Sequence, residues 1–252
     1  MVKTRKKSNI ILFIVFFIIF ISTLIFGIVS ICINLLDKSQ AISVIIEGIL
    51  GIFCLFVPYM LEKFFHISTS FIVRFGWYAF ICFAATLGEA FQLYYRLRWW
   101  DDFLHIFSSM GIAMIGFCIA EHIIKYTNEK KTLFLCLLFS TIFSFAIGFV
   151  WEFIEYCCDN IAGTNMQKFM PEIETLFNGG NSFLPLNGTD TEIAEYFRSP
   201  KGYKYALVDT MSDILDCIIG TTTFSIIALI KKRFNKDAFQ NIIVFENSKL
   251  EE

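Results

Sequence analysis

Charge is what this chain has least of. Charged residues make up 17% of the 252 residues and hydrophobic ones 56%, where a soluble domain carries about 25% charge. Several stretches run beyond ~18 residues almost free of charge, which marks membrane spans and not the core of a soluble domain. The charges that remain nearly cancel, to a net of −2. The basic residues gather at the ends of apolar runs and form no single patch, which excludes a nucleic-acid partner. Nothing alternates with period two over barrel-strand lengths, so a membrane β-barrel is excluded as well. A phosphate-binding glycine loop, a nucleophile elbow and a CxxC pair are all missing. No small-residue cleavage site follows the first apolar run, so the basic start at Lys3, Arg5, Lys6 and Lys7 is expected to precede an uncleaved helix and not a signal peptide.

The cysteines do not form a disulfide framework. Cys32, Cys54, Cys82, Cys118 and Cys136 fall inside apolar segments, and the long polar loop has none. Free cysteine in such a place behaves as a small hydrophobe. Cys157, Cys158 and Cys217 lie near acidic residues, but adjacent cysteines rarely meet the geometry of a bridge.

Six apolar runs, at about 10–33, 41–61, 71–95, 103–124, 132–154 and 213–230, predict an all-α, polytopic transmembrane helix bundle of about six helices. The bias of lysine and arginine sets its orientation. With the N-terminus inside, the inner segments carry the basic start plus Lys63, Lys125, Lys130, Lys131, Lys231, Lys232, Arg233 and Lys236, and the short outer loops only Lys38, Arg96 and Arg98. The expectation is a multi-pass protein of the cell membrane with both termini cytoplasmic. Residues 1–235 would form one transmembrane domain, with 159–210 as an extracytoplasmic loop and 236–252 as a short cytoplasmic tail. The loop contains the turn signals Asn178-Gly179-Gly180, Asn187-Gly188 and Ser199-Pro200. Segments 170–177 and 191–198 are each suited to a short amphipathic helix on the membrane surface, and Asn187-Gly188-Thr189 is formally a glycosylation sequon.

Against this apolar background the acidic residues are concentrated. Asp101, Asp102 and His105 stand at the start of the fourth run, Glu152, Glu155 and Asp159 at the end of the fifth, and Asp209, Asp213 and Asp216 at the start of the sixth. The topology places all three clusters at the outer boundary. Spacings of three and four put Asp101 with His105, Glu152 with Glu155 and Asp159, and Asp209 with Asp213 and Asp216 each on one helical face, with Ser108 and Gly220 extending two of those faces inward. Glu89, Gln92 and Arg96 make a fourth polar stripe. Any one cluster is what a solvated helix end looks like. Three on one side, with matching faces, point to a polar pocket. Carboxylates that close together raise each other's pKa, so that some take up protons unless a counter-charge resolves the conflict. A divalent cation supplies it: Mg²⁺, Ca²⁺ or Mn²⁺ for an all-oxygen site, and Zn²⁺ or Fe²⁺ where histidine joins. Arg96 and Arg98 are the other remedy near in sequence. Glu47, Glu121 and His122 are expected to be interfacial. Trp77, Trp99, Trp100 and Trp151 suit aromatic belts, with Trp99, Trp100 and Trp151 flanking the pocket.

Asp101-Asp102-Phe103-Leu104-His105, Trp151-Glu152-Phe153-Ile154-Glu155 with Asp159, and Asp209-Thr210-Met211-Ser212-Asp213-Ile214-Leu215-Asp216 together resemble, in this order, the motifs of YjdF-like bacterial membrane proteins, and more distantly those of the VanZ-like group. The likeness covers roughly residues 77–223. It implies a polytopic membrane protein with Asp101, His105, Glu152, Glu155, Asp209 and Asp213 in the motif positions. Asp102 departs from it, because members of the family often carry a basic residue there. The VanZ-like group is associated with tolerance of glycopeptide antibiotics, which implies envelope or lipid matters.

Three functions fit these residues. In the first, Asp101, His105, Glu152 and Asp209 hold a divalent metal ion, and Glu155 or Asp213 acts as general base on a lipid-linked or envelope substrate at the outer leaflet. In the second, the acids carry protons or cations in a transporter, although they crowd one end and no inverted repeat is visible. In the third, a non-catalytic accessory protein uses them to bind a partner outside.

Overall fold

The computed structural model describes residues 2–36, 38–97, 99–124, 129–162, 166–167, 200–239 and 241–245. The expected surface helices at 170–177 and 191–198, the sequon and Arg98 lie outside the described residues. The fold class is the expected one: all-α and polytopic. Among the described residues, six helical spans are long and apolar enough to cross a membrane: Ser8–Ile33, Gln40–Phe65, Phe71–Ala90, Trp100–Ile123, Lys130–Ile161 and Ala206–Phe234. Large apolar side chains such as Ile14, Ile18, Phe53, Ile72, Phe149 and Leu215 face outward along them, as lipid contact requires. The described α-helices are α1 (Val2–Ile33), α2 (Lys38–Cys54), α3 (Val57–Phe65), α4 (Phe71–Ile81), α5 (Leu93–Arg96), α6 (Trp100–Ile123), α7 (Glu129–Ala162) and α8 (Pro200–Phe234).

The described residues gather into two compact units. One holds those of Met1–Leu93, Phe117–Leu137 and Ile227–Glu252, the other those of Tyr94–Gly116 and Leu138–Ile226.

In the first unit two of the expected spans are broken, each for a local reason. Pro58 near the start of α3 has no N–H for the Cys54 carbonyl four residues earlier, so the second span divides into α2 and α3. The exposed carbonyls are taken up from elsewhere: Trp77 Nε1 donates to Cys54 O at 2.9 Å and Tyr78 Oη to Leu55 O at 3.0 Å. Phe16, Phe20, Leu55 and Tyr78 form the core around this break. The third span passes from α4 into a π-helical stretch, Cys82–Ala90. Gln92, at φ 58°, then ends it before α5. Glu89, Gln92 and Arg96 therefore do not share one α-helical face, because the 3.6-residue period that would align them is lost. Thr23 and Thr86 share a buried hydroxyl bond of 3.0 Å that ties the π-helical stretch to α1.

Residues after α8 pack back within this same unit. Strand β1 (Ile67–Thr69) pairs antiparallel with β2 (Ile243–Phe245), and the Phe239 ring meets Phe117 edge-on at 5.2 Å. Glu121 is ion-paired with Lys232, whose Nζ also sits 5.8 Å over the Phe117 ring.

The second unit is built on small residues, which let membrane helices approach closely. Ser140 Oγ donates to Ala113 O at 2.6 Å, and Ser144 Oγ to Ser109 O at 3.1 Å, joining α7 to α6. Thr221 Oγ1 donates to Ser144 Oγ at 2.9 Å, joining α8 to α7. At Gly220 the approach is closest: a Cβ there would run into Ser109 Oγ and the Ile106 carbonyl. Gly220→Val is therefore expected to lower stability by about 1–3 kcal/mol or more. Gly111→Ala, where a Cβ meets nothing within 4 Å, is expected to hold or raise stability by about 0.5–1 kcal/mol. Thermal unfolding of the two variants in detergent checks both signs.

Candidate metal centre

The same three helices carry the acidic residues. Helix α6 begins at Trp100, so Asp101 and Asp102 occupy its first turn, where carboxylates suit the helix dipole. His105 follows one turn later on the Asp101 face. The fifth run extends further than hydropathy alone predicts, as α7 to Ala162, and Glu152 and Glu155 lie within its last turns. The sixth begins earlier, at Pro200, a residue preorganised for a helix start. Asp209, Asp213 and Asp216 thus stand inside α8 and not at its beginning. Asp213 is about two turns into the span Ala206–Phe234, ~10 Å at 1.5 Å per residue.

His105 is the hinge of the cluster. It is buried, and each of its ring nitrogens faces carboxylates. Nε2 lies 3.9 Å from Asp101 Oδ1 and 3.8 Å from Asp213 Oδ2, and Nδ1 lies 3.9 Å from Glu152 Oε1. These separations exceed hydrogen-bond length. The two separations at Nε2 suit atoms grouped around a common centre, since two ligands on one ion at 2.0–2.6 Å lie up to ~5 Å apart.

Three groups of side chains have ligand atoms that all lie within 4.8 Å of one another: Asp101, His105 and Asp213; Asp102, Asp213 and Asp216; and Glu152, Glu155 and Asp213. Asp213 belongs to every one of them and is 2% exposed. Glu152, Glu155, Asp216 and His105 are buried as well. Glu152 Oε2, Asp213 Oδ2 and Asp216 Oδ2 are buried without a hydrogen-bond partner. Each such orphan acceptor costs about 1–3 kcal/mol, and more when charged. For a carboxylate held ionised that cost rises to several kcal/mol of desolvation. A cation bound at the convergence of these oxygens would offset it.

Of the residues expected from sequence to ligate metal, Asp101, His105 and Glu152 fall into these groups. Asp209 does not; it sits half-buried one turn from Asp213 on the same face of α8. Both residues expected to act as bases, Glu155 and Asp213, fall into the groups. Asp102 and Asp216 join them too, although the sequence suggested no separate task for either. The i, i+3 step from Asp213 to Asp216 was the available signal.

Asp159 has a different occupation. Its Oδ1 accepts from Met166 N at 2.7 Å and its Oδ2 from Gln167 N at 2.9 Å. Gln167 is buried and donates from Nε2 to Thr210 Oγ1 at 3.0 Å on α8. Ser108 likewise turns away, donating to His105 O at 3.2 Å within its own helix. Trp100 is buried against Phe103, and Trp99 and Trp151 are exposed.

The chain matches, over residues 9–233, the family described as "Predicted membrane protein (DUF2238)", and it belongs to that family. No curated protein and no solved structure matches it.

The clamp at Asp159 has its own test. Replacing two charge-assisted bonds at a partly exposed carboxylate, Asp159→Ala is expected to cost about 1–3 kcal/mol. Asp159→Asn keeps one acceptor oxygen and should lose less. Melting temperatures of the two variants in detergent rank them, and equal values for wild type and Asp159→Ala would rule the clamp out.

Proposed function

We propose that this protein is a divalent-metal-dependent membrane enzyme acting on a lipid-linked or envelope substrate. The observation that carries this reading is Asp213: one buried carboxylate, with an oxygen that finds no donor, common to three groups of side chains able to hold an ion. Cation-free, such a site brings like charges together in apolar surroundings. With a cation bound, the same groups become ligands.

Asp101, His105 and Asp213 would hold the ion, whose chemistry is to polarise a phosphoryl or ester oxygen or to activate water. Nδ1 of His105 faces Glu152, the arrangement in which a carboxylate orients a metal-bound imidazole through its second nitrogen. Glu155, one turn along α7 from Glu152, would serve as the general base. Asp209, a half-buried carboxylate one turn along α8, would add to the negative field at the mouth of the site. The excess of basic residues in the other set of loops supports an extracytoplasmic site with both termini cytoplasmic, in the cell membrane. A site about two turns from a span end suits a substrate whose head group sits at the bilayer surface. The resemblance to YjdF-like and VanZ-like proteins leans towards the same envelope setting.

The decisive measurement is divalent metal content of the purified, detergent-solubilised protein. Wild type is expected to bind at least one ion per chain, Asp213→Asn to lose it, and His105→Ala to bind less than wild type. Free metal at 100 times its Kd should stabilise wild type by about 2.7 kcal/mol and leave Asp213→Asn unmoved. In chelator the order reverses, because Asp213→Asn removes an acid that the site must otherwise bury charged beside other carboxylates or protonate. Negligible metal in wild type and variants alike would falsify the proposal. Glu155→Gln should retain the ion yet abolish phosphate release from micelles of a lipid phosphomonoester such as polyprenyl phosphate or phosphatidate.

A further inference from the structure

The three groups sharing Asp213 do not describe one ion position. Asp101 and Asp102 are consecutive residues of α6, so their side chains leave the helix about 100° apart. Each nevertheless comes within 4.8 Å of Asp213 and of one further ligand, His105 for Asp101 and Asp216 for Asp102. The two groups therefore approach Asp213 from different directions. Their donor sets differ too: one contains an imidazole, the other only carboxylate oxygen. An ion held by Asp101, His105 and Asp213 also leaves one observation unexplained. Asp216 is 8% exposed, belongs to the second group alone, and its Oδ2 has no hydrogen-bond partner.

We infer that the centre binds two divalent cations, the second held by Asp102, Asp213 and Asp216, with Asp213 as the bridging carboxylate. The inference rests on the metal-dependent reading above and extends it. A carboxylate has two oxygens and can serve two ions, and paired ions in such sites stand about 3.5–4 Å apart. Asp213 Oδ2 faces His105 Nε2 at 3.8 Å, which assigns that oxygen to the first position. The charge balance points the same way. Asp101, Asp102, Glu152, Glu155, Asp213 and Asp216 crowd one buried site, and a single divalent ion offsets only two of them. The second position, hard and all-oxygen, suits Mg²⁺, Ca²⁺ or Mn²⁺. The first, with its imidazole, suits Mn²⁺, Fe²⁺ or Zn²⁺. Mn²⁺ is compatible with both and serves as the probe.

The full-length protein in detergent, stripped with chelator and titrated with Mn²⁺, decides the matter by stoichiometry and electron paramagnetic resonance. Wild type is expected to bind two Mn²⁺ per chain with a spin-coupled signal. Asp216→Asn and Asp102→Asn should each bind one, uncoupled, and Asp216→Glu should restore two. His105→Ala should also fall to one, by losing the other position. One uncoupled ion in wild type, unchanged by Asp216→Asn, would overturn the second site and leave the single-ion reading standing. No bound ion in wild type would overturn both. Because the wild-type stoichiometry alone separates these outcomes, the result does not depend on any variant folding.

Discussion

Everything distinctive in this protein depends on keeping the Asp213 carboxylate buried among other carboxylates. An ionised group in apolar surroundings loses several kcal/mol of hydration, and neighbours of the same sign add to that. Here the neighbours come from three helices: Asp101 and Asp102 on α6, Glu152 and Glu155 on α7, and Asp216 on α8 itself. His105 is the one basic side chain in any of the three groups, and it touches the problem from both sides of its ring. A fold that brings these groups together without a cation spends stability on it. That burden is the physical ground for reading the cluster as a site.

The fold meets the burden through close packing just below. Ser109, Ser140, Ser144, Thr221 and Gly220 carry little bulk, and the hydroxyls of Ser140, Ser144 and Thr221 donate across α6, α7 and α8. Hydroxyls of this kind contribute on the order of 0.6–2 kcal/mol each between membrane helices, so several together hold the helix ends in register. The carboxylates are thus placed by short side chains that belong to none of the three groups. Asp159 adds to the same end in another way, by clamping the backbone just after α7 through Met166 and Gln167.

Much of this was legible in the chain. Six apolar runs became six spans, because a helix that faces lipid needs an apolar surface and length, both local properties of sequence. The helical faces were legible as well: Asp101 with His105, Glu152 with Glu155, and Asp213 with Asp216 follow from a period of 3.6. Two spans departed from that period. Pro58 was visible, but its effect on Cys54 depends on Trp77 arriving from a distant segment to accept the break. The π-helical stretch at Cys82–Ala90 carries no residue signature, and it dissolved the expected stripe of Glu89, Gln92 and Arg96.

Hydropathy and spacing by themselves determined the class, the number of spans and which acidic residues share a face, since each is set by neighbours within a turn or two. Only the tertiary structure decided that Asp213 is the residue the three groups have in common. It also decided that Glu152 stands behind the second nitrogen of His105, that Asp159 holds backbone, and that Asp209 stays outside the groups. Those outcomes turn on differences of a few ångströms between helices remote in sequence. Such distances are fixed by how closely Gly220 lets α8 approach α6, and no periodicity along a single helix encodes them.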